Sequence, residues 1–329
     1  MKEGPAFYGQ TPAFLRELAE TAPLQRLAGI GMNCGCEYTG FKLFRRLKPY
    51  SRLEHSLGTA RIVWHFTEDR VQSAAALFHD IAAPTFSHSV DFLRGDALRQ
   101  EATESGTAEL ICSSAEIAEI LQRLEIPMDE VLDYHRYPIA DNDAPRLSAD
   151  RLEYTLGNLD KFRLRSSTVL RLYFEQLCVS QNEDGQPELV FRDAAAAIDF
   201  GFDALRCSRI YVSDEDRYAM QMLSELLGRA LERGILTERD LMGTEQALIR
   251  KLLADPVCAE EWKRFRGLKE MIREEDKAPP ELRRVIPAKK RCIDPLVLDK
   301  GRLSAICAPF AEALAAFREQ DQSQWLCAK

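Results

Sequence analysis

Apolar side chains recur every three or four positions along most of this chain, as they do on the buried face of a helix. In residues 109–124, six leucine and isoleucine side chains follow this spacing. The same pattern predicts helices over 54–67, 71–81, 169–178, 194–208, 217–233, 259–275 and 303–317. The predicted fold class is therefore mainly α.

Two segments depart from the helical pattern. Residues 189–191 form an apolar triplet that is typical of either a short strand or the lead-in to a helix. Residues 283–295 combine a basic run with two prolines, which predicts one or two short extended segments. The basic run could bind an anion, but it fits a solvated segment or an interface better. We predict an N-terminal domain over 1–165 and a helical C-terminal region over 166–329 that packs on it.

Composition and charge narrow the class of protein. A chain of 329 residues is long enough for one large domain or two. Its formal net charge of −8 argues against a general nucleic-acid surface. No apolar run approaches the ~18 residues of a membrane span, and nine cysteines without a CxxC pair fit a reducing compartment. We expect a cytoplasmic protein without a membrane or nucleic-acid partner.

One stretch offers candidate chemistry. An apolar run ends in the adjacent pair His79 and Asp80, and His55 lies 24 positions before His79. Asp150 follows Asp80 by 70 positions. A lone His-Asp pair is most often a core histidine beside a capping aspartate. Two imidazole nitrogens and two carboxylates together suit a divalent metal ion, and this mix does not distinguish Fe, Mn, Zn, Ni and Mg.

Five short motifs accompany these residues: Leu24-Gln25-Arg26-Leu27, Arg52-Leu53-Glu54-His55-Ser56, Phe78-His79-Asp80, Phe86-Ser87-His88 and Asp150-Arg151-Leu152-Glu153-Tyr154. As a set they resemble the motifs of the HD-domain metal-dependent phosphohydrolases. The resemblance is to the branch that contains the dGTP triphosphohydrolases and the vertebrate deoxynucleotide triphosphohydrolases. A weaker resemblance extends to about residue 253. It implies an HD-domain helical bundle with an α-helical C-terminal extension and a few short strands.

The resemblance also implies a site for one divalent metal ion and a nucleotide or another phosphate ester. The implied metal ligands are His55, His79, Asp80 and Asp150. Phosphate contacts are implied for Arg52, His88 and Arg151, and for Arg206 in the C-terminal half. The implied nucleotide pocket includes Tyr154 and two residues near the family's sugar-reading positions, Asn158 and Asn33. A homodimer is expected by the same resemblance.

The sequence departs from the family at positions that matter for catalysis. Ala83 and Thr103 stand where relatives have histidines, while the acidic neighbour of the second is kept as Glu104. Asp91 matches the acid that orients such a histidine, so we expect an acid without its imidazole. Asp91 and Glu104 remain the candidate catalytic residues. In the C-terminal half, Tyr211 does not align with the position of a phosphate-binding residue of the family.

Two functional hypotheses follow. The first is a metal-dependent phosphohydrolase that acts on a nucleotide or a (deoxy)nucleoside triphosphate-like phosphate ester. The second is a catalytically weakened HD module that binds metal and nucleotide in a regulatory role, because the loss of a general acid or base typically costs about 10²- to 10⁴-fold in rate. His65 and His135 fit none of the motifs and are interpreted as structural or surface residues.

Overall fold

Helices dominate the computed structural model, which describes residues 4–98, 106–273 and 277–329. The predicted mainly α class is confirmed. In chain order the α-helices are α1 (Ala13–Ala19), α2 (Ala22–Arg26), α3 (Arg52–Thr67), α4 (Arg70–Phe78), α5 (His88–Leu93), α6 (Thr107–Ser113), α7 (Ala115–Arg123), α8 (Ala149–Lys161), α9 (Ser167–Glu175), α10 (Ala194–Tyr211), α11 (Asp214–Glu232), α12 (Glu238–Leu241), α13 (Glu245–Ala254), α14 (Pro256–Gly267), α15 (Leu303–Ile306) and α16 (Ala308–Glu319).

Among the described residues, short strands form two small sheets, and all of these strands come from the C-terminal half of the chain. The strands are β1 (Leu177–Gln181), β2 (Pro187–Phe191), β3 (Arg284–Val285), β4 (Leu296–Val297), β5 (Gly301–Arg302) and β6 (Trp325–Leu326). One sheet has the order β1-β2-β4-β5, with β1 and β2 antiparallel and β2 and β4 parallel, and β3 pairs with β6 in the other. The strand predicted at 189–191 is confirmed, and β3 provides an extended segment within 283–295. The helix predicted over 169–178 is wrong at its end, because Cys178 lies in β1, opposite Val190.

Helix α3 lies among α1, α4 and α8 and carries the first candidate ligand. Ser51 caps its start: the Ser51 hydroxyl accepts a hydrogen bond from the Glu54 N–H at 3.2 Å, and the Glu54 carboxylate accepts one from the Ser51 N–H at 3.1 Å. This reciprocal capping fixes where the helix begins. A Cβ atom at Gly58 would lie 2.5 Å from an oxygen of Glu153 on α8, so only glycine permits this close approach of the two helices.

A tight turn connects α4 to α5 and joins the motif Phe78-His79-Asp80 to the motif Phe86-Ser87-His88. Helix α4 ends at Phe78, and His79 follows as its C-cap. Phe86 and Ser87 then adopt left-handed backbone conformations, with φ of 63° and 44°, immediately before α5. Such conformations are costly for residues other than glycine. Here both side chains are fully buried, so the core holds the turn in the shape that presents His88.

The two predicted parts of the chain are in direct contact, because α9 and α10 pack on α8. The boundary near residue 165 stays a prediction. In the part of the chain that the structure describes, none of the helices has both the length and the apolar character needed to cross a bilayer.

Candidate metal and phosphate site

The structure brings the four predicted metal ligands together at one point. The Nε2 atom of His55 lies 3.1 Å from the Nε2 atom of His79 and 3.0 Å from an oxygen of Asp150. The same His79 nitrogen is 3.5 Å from an oxygen of Asp80. His55 comes from α3, His79 and Asp80 from the end of α4, and Asp150 from the first turn of α8. Helices α3 and α4, which are consecutive in sequence, and the distant helix α8 therefore present polar atoms to a shared centre.

The second nitrogen of each histidine already has a partner. The Nδ1 atom of His55 lies 2.6 Å from the Glu153 carboxylate, and the Nδ1 atom of His79 lies 2.7 Å from the carbonyl oxygen of Ala76. Both partners are acceptors, so they favour the tautomer in which Nδ1 carries the proton and Nε2 is free to bind a metal. The orientation of both rings and the nature of the donors therefore fit a divalent metal ion.

The charge at this centre also fits a bound cation. Burial alone would lower the pKa of His55, but its hydrogen bonds to Asp150 and Glu153 outweigh burial and raise the pKa to about 10. Burial likewise opposes ionisation of Asp150, yet His55 and His79 lower the pKa of that carboxyl to about 2. The carboxylates therefore hold a proton on His55. A divalent metal ion would take the place of this proton, because metal ligands must be deprotonated.

Replacing Glu153 with glutamine should weaken metal binding by about 10- to 100-fold, the usual effect of removing a carboxylate that orients a metal-bound histidine. The glutamine side chain keeps the shape of Glu153 beside Gly58, but it lacks the negative charge that the Glu153 carboxylate places next to His55. Calorimetric titration of metal-free protein with Mn²⁺ measures the change. Glu261→Gln is a matched control, because Glu261 pairs with Arg229 away from these ligands. Equal metal affinity in Glu153→Gln and wild type would contradict the role of Glu153.

A cavity of about 760 Å³ opens beside the four ligands. Its walls include the predicted site residues Asn33, Arg52, His55, His79, Asp80, His88, Asp150, Arg151, Tyr154 and Asn158. Arg206 does not line it, because this side chain points outward from an exposed position on α10. Thr103 and Glu104 lie outside the described residues. Residues from both halves of the chain thus share one concave surface.

Two arginines in the cavity wall are held by acidic or amide partners. Arg52 donates from Nη1 to an oxygen of Asp80 at 2.8 Å and from Nε to the Ser87 hydroxyl at 3.1 Å. Arg151 donates from Nη1 to the Asn142 side chain at 2.8 Å and pairs with Asp141 at 3.1 Å. Hydrogen bonds of this kind fix the guanidinium planes. Both groups are oriented toward the cavity, and each has much of its charge balanced.

The expectation that Asp91 lacks an imidazole partner is wrong. The Nδ1 atom of His88 lies 2.8 Å from an oxygen of Asp91, which is fully buried behind it. The two residues are three positions apart on α5, where side chains share a face. Burial lowers the pKa of His88 to about 4: the hydrogen bond to Asp91 opposes this shift, and the guanidinium groups of Arg291 and Arg52 reinforce it. His88 is therefore neutral at pH 7 before an anion binds, with Asp91 accepting the proton on Nδ1.

The missing family histidine at Ala83 leaves no gap in the cavity. Ala83 is fully buried in the hydrophobic core and does not line the cavity. A histidine introduced at this position would overpack the core. The substitution relative to the family therefore does not remove an imidazole from the cavity wall of this protein.

Sequence reasoning missed several residues of the cavity. Tyr211 lines it: the Asn158 amide donates to the Tyr211 hydroxyl at 2.8 Å, and the Tyr211 ring lies 6.0 Å from that of Tyr154. His135 lies in the wall with a half-exposed side chain. The basic segment 289–292, which we expected to be solvated or at an interface, also lines the cavity. Its position depends on long-range packing, so no local pattern could have indicated it.

Fold and site together define a helical protein with a histidine and aspartate centre suited to a divalent metal ion. No protein-family model matches the chain. The chain is similar to the uncharacterised protein YdhJ of Bacillus subtilis, with 26% identity over 252 residues, covering 75% of this chain and 74% of the relative. It is also similar to the metal-dependent phosphohydrolase cns2 of Cordyceps militaris, with 26% identity over 299 residues, covering 87% of this chain and 81% of that protein.

Two solved structures share the fold. A phosphohydrolase from Bacteroides thetaiotaomicron matches with a TM-score of 0.64 and 15% identity, covering 97% of this chain and 96% of the other. A hypothetical protein from Aquifex aeolicus matches with a TM-score of 0.63 and 17% identity, covering 98% and 94%. At these identities the structures show the fold alone. The comparisons support a distant relationship to HD-type metal-dependent phosphohydrolases, and the dGTP triphosphohydrolase branch stays a prediction.

Proposed function

We propose that this protein is a metal-dependent phosphohydrolase that cleaves a phosphate ester of a nucleotide-like alcohol. The observation that carries the proposal is the convergence of His55, His79, Asp80 and Asp150 on the wall of a cavity that also contains arginine side chains. Phosphoester hydrolysis needs both features, because charge accumulates on the phosphate oxygens as the bond breaks.

A divalent ion held by those four side chains would supply a nucleophile at neutral pH and would neutralise charge on the phosphate. The protein side chains perform the remaining steps. Arg52 contacts Asp80, so its guanidinium group lies beside the metal ligands, where it can orient a phosphate group. Arg151, the neighbour of the ligand Asp150, holds the phosphate from the α8 side. Fixed positive groups of this kind need little reorganisation when the phosphate binds.

The pair of His88 and Asp91 can deliver the proton that the leaving alcohol requires. Asp91 holds the ring through Nδ1, which leaves Nε2 facing the cavity. The negative charge of a bound phosphate would raise the pKa of His88, because an anion stabilises the imidazolium form. His88 would then donate a proton from Nε2 to the ester oxygen as the phosphorus–oxygen bond breaks. Water adds to phosphorus in the same reaction, so the products are the alcohol and free phosphate from a monophosphate ester, or the alcohol and triphosphate from a triphosphate ester.

The far wall of the cavity suits an alcohol with a flat ring and hydroxyl groups. Tyr154 and Tyr211 supply aromatic surface. The side-chain oxygen of Asn158 is buried and accepts no hydrogen bond from any described residue, while its amide group is held by Tyr211. A buried acceptor without a donor is costly, and a sugar hydroxyl would satisfy it. These contacts support a nucleotide as substrate, with Asn33 at the same cavity wall.

The alternative of a catalytically weakened regulatory module is less well supported. It rested on Ala83 and Thr103, but Ala83 lies in the core and an imidazole is present at His88 with its acid, Asp91. Thr103 lies outside the described residues. The homodimer that the resemblance implies also remains a proposal.

A substrate panel tests the proposed function. Protein loaded separately with Mn²⁺, Fe²⁺, Zn²⁺, Ni²⁺ or Mg²⁺ is incubated with deoxynucleoside triphosphates, nucleoside monophosphates and simple phosphate esters, and released phosphate, triphosphate and free nucleoside are measured. We expect metal-dependent hydrolysis of at least one nucleotide. If protein with metal bound at the site hydrolyses none of these compounds, the phosphohydrolase proposal fails.

A further inference from the structure

The segment 286–294, called here the C-terminal strap, forms part of the cavity wall although it lies far from the site motifs in sequence. Lys289, Lys290, Arg291 and Cys292 all line the cavity. Ile286, Ala288 and Ile293 are buried in the core. The strap is thus anchored by apolar side chains, while residues 289–292 line the space in which a substrate would bind.

Hydrogen bonds fix the strap at both ends. The backbone N–H of Ala288 donates to the Gln322 side chain at 2.8 Å, and the Lys290 amine donates to the carbonyl oxygen of Arg318 at 2.6 Å. At the other end, the backbone N–H of Asp294 donates to the carbonyl oxygen of Pro145 at 2.8 Å. The Pro145 contact joins the strap to the loop that precedes α8. Such anchoring lets the strap hold a side chain at a defined place in the cavity.

Arg291 extends from this strap to the catalytic side of the cavity. Its Nη2 atom lies 3.4 Å from the Nε2 atom of His88. The two groups therefore face the same volume, and an anion bound by one would lie beside the other. Arg291 is separated from His88 by 203 positions in sequence. Only the tertiary fold brings them together.

Arg291 also differs from the other cavity arginines in its charge balance. Arg52 is paired with Asp80, and Arg151 is paired with Asp141. For Arg291, no described carboxylate lies within ion-pair distance. Asp216 shares the cavity wall, and burial raises the pKa of that carboxyl to about 8, although the hydrogen bond to Cys36 and the charge of Arg291 oppose this shift. The positive charge of Arg291 is therefore balanced less by neighbouring groups than the charges of Arg52 and Arg151, so it can attract an anionic ligand more strongly.

We propose that Arg291 binds the phosphate group of the substrate next to His88, and that the C-terminal strap thereby completes the site. This inference rests on the proposed function for the identity of the anion. It assigns to the strap the contact that the resemblance implied for Arg206, which lies on the exposed face of α10. A guanidinium group suits this role because it can donate two parallel hydrogen bonds to a phosphate.

Binding of inorganic phosphate to the Mn²⁺-loaded protein, measured by calorimetry, tests this assignment without relying on turnover. Removing a charge-assisted hydrogen bond should weaken binding by roughly 10- to 100-fold in Arg291→Ala. Arg291→Lys should recover part of the affinity, because it keeps the charge but loses the bidentate geometry. Arg209→Ala, which removes an exposed arginine of α10, is the control for net charge and should bind phosphate like wild type.

The outcomes separate this inference from the proposed function. Wild-type affinity for phosphate in Arg291→Ala, or no phosphate binding by the folded wild-type protein at millimolar concentration, would overturn it. A loss in Arg206→Ala with none in Arg291→Ala would return the role to α10. If phosphate binding depends on Arg291 but no ester is hydrolysed, the inference holds and the phosphohydrolase proposal fails. Metal titration of each variant shows whether the four-ligand centre is intact.

Discussion

Replacing Asp150 with asparagine should abolish both tight metal binding and hydrolysis. Asp150 lies 3.0 Å from the His55 nitrogen at the shared centre, and its carboxylate is one of only two in the proposed ligand set. An amide keeps the shape of the side chain but removes the negative charge that a divalent ion requires. Because metal assistance supplies several kcal/mol of transition-state stabilisation, the rate should fall by about 10³-fold or more.

Two measurements on the same preparation check this result: metal content after dialysis, and phosphate released from the best substrate of the panel. Asp160→Asn is the matched control, because Asp160 lies on the same helix but pairs with Lys48. The control should keep its metal and its rate. If Asp150→Asn retains the wild-type metal content and a rate within a few-fold of wild type, Asp150 is not a ligand.

The second large effect should come from His88→Gln. We expect the turnover number to fall by about 10²- to 10⁴-fold, the usual contribution of general acid–base catalysis. Metal affinity should be unchanged, because His88 is not among the four proposed ligands. His65→Gln serves as a control, since His65 packs against Phe66 and Phe174 outside this cavity.

The dependence on the leaving group distinguishes proton donation from a structural role for His88. An ester with an acidic leaving alcohol, such as p-nitrophenyl phosphate, needs little help from a proton donor. Its hydrolysis should therefore lose much less rate in His88→Gln than hydrolysis of a nucleotide with an alkyl leaving group. An equal loss with both esters would show that His88 positions other groups and does not protonate the alcohol.

The candidate metal centre was accessible from sequence because its residues come with local context. His55 lies four residues after Ser51, which caps α3, and His79 and Asp80 follow an apolar helix that ends at the turn. Each of these features is encoded within a few residues. The convergence of His55, His79, Asp80 and Asp150 then follows from the packing of three helices, which a local pattern cannot give.

Prediction from the sequence failed mainly where the geometry depends on contacts between residues that are distant in the chain. The partnership of His88 and Asp91 is the exception: the two residues lie three positions apart on α5, so their spacing alone could have indicated it. The position of Arg291 depends on how the C-terminal strap packs. Similarly, the end of the helix predicted over 169–178 was wrong because residues 177–181 gain their strand partner from residues 187–191. Strand formation depends strongly on such pairing.

The central claim is that a metal bound by His55, His79, Asp80 and Asp150 supports phosphoester hydrolysis. The most direct measurement is phosphate release by wild type and Asp150→Asn, before and after removal of metal with a chelator and after metal is added back. The account predicts that wild-type activity disappears with the chelator and returns with the metal, while Asp150→Asn stays inactive throughout. Hydrolysis that persists in the chelator and in Asp150→Asn, or its absence in wild type with metal bound at the site, would contradict the account.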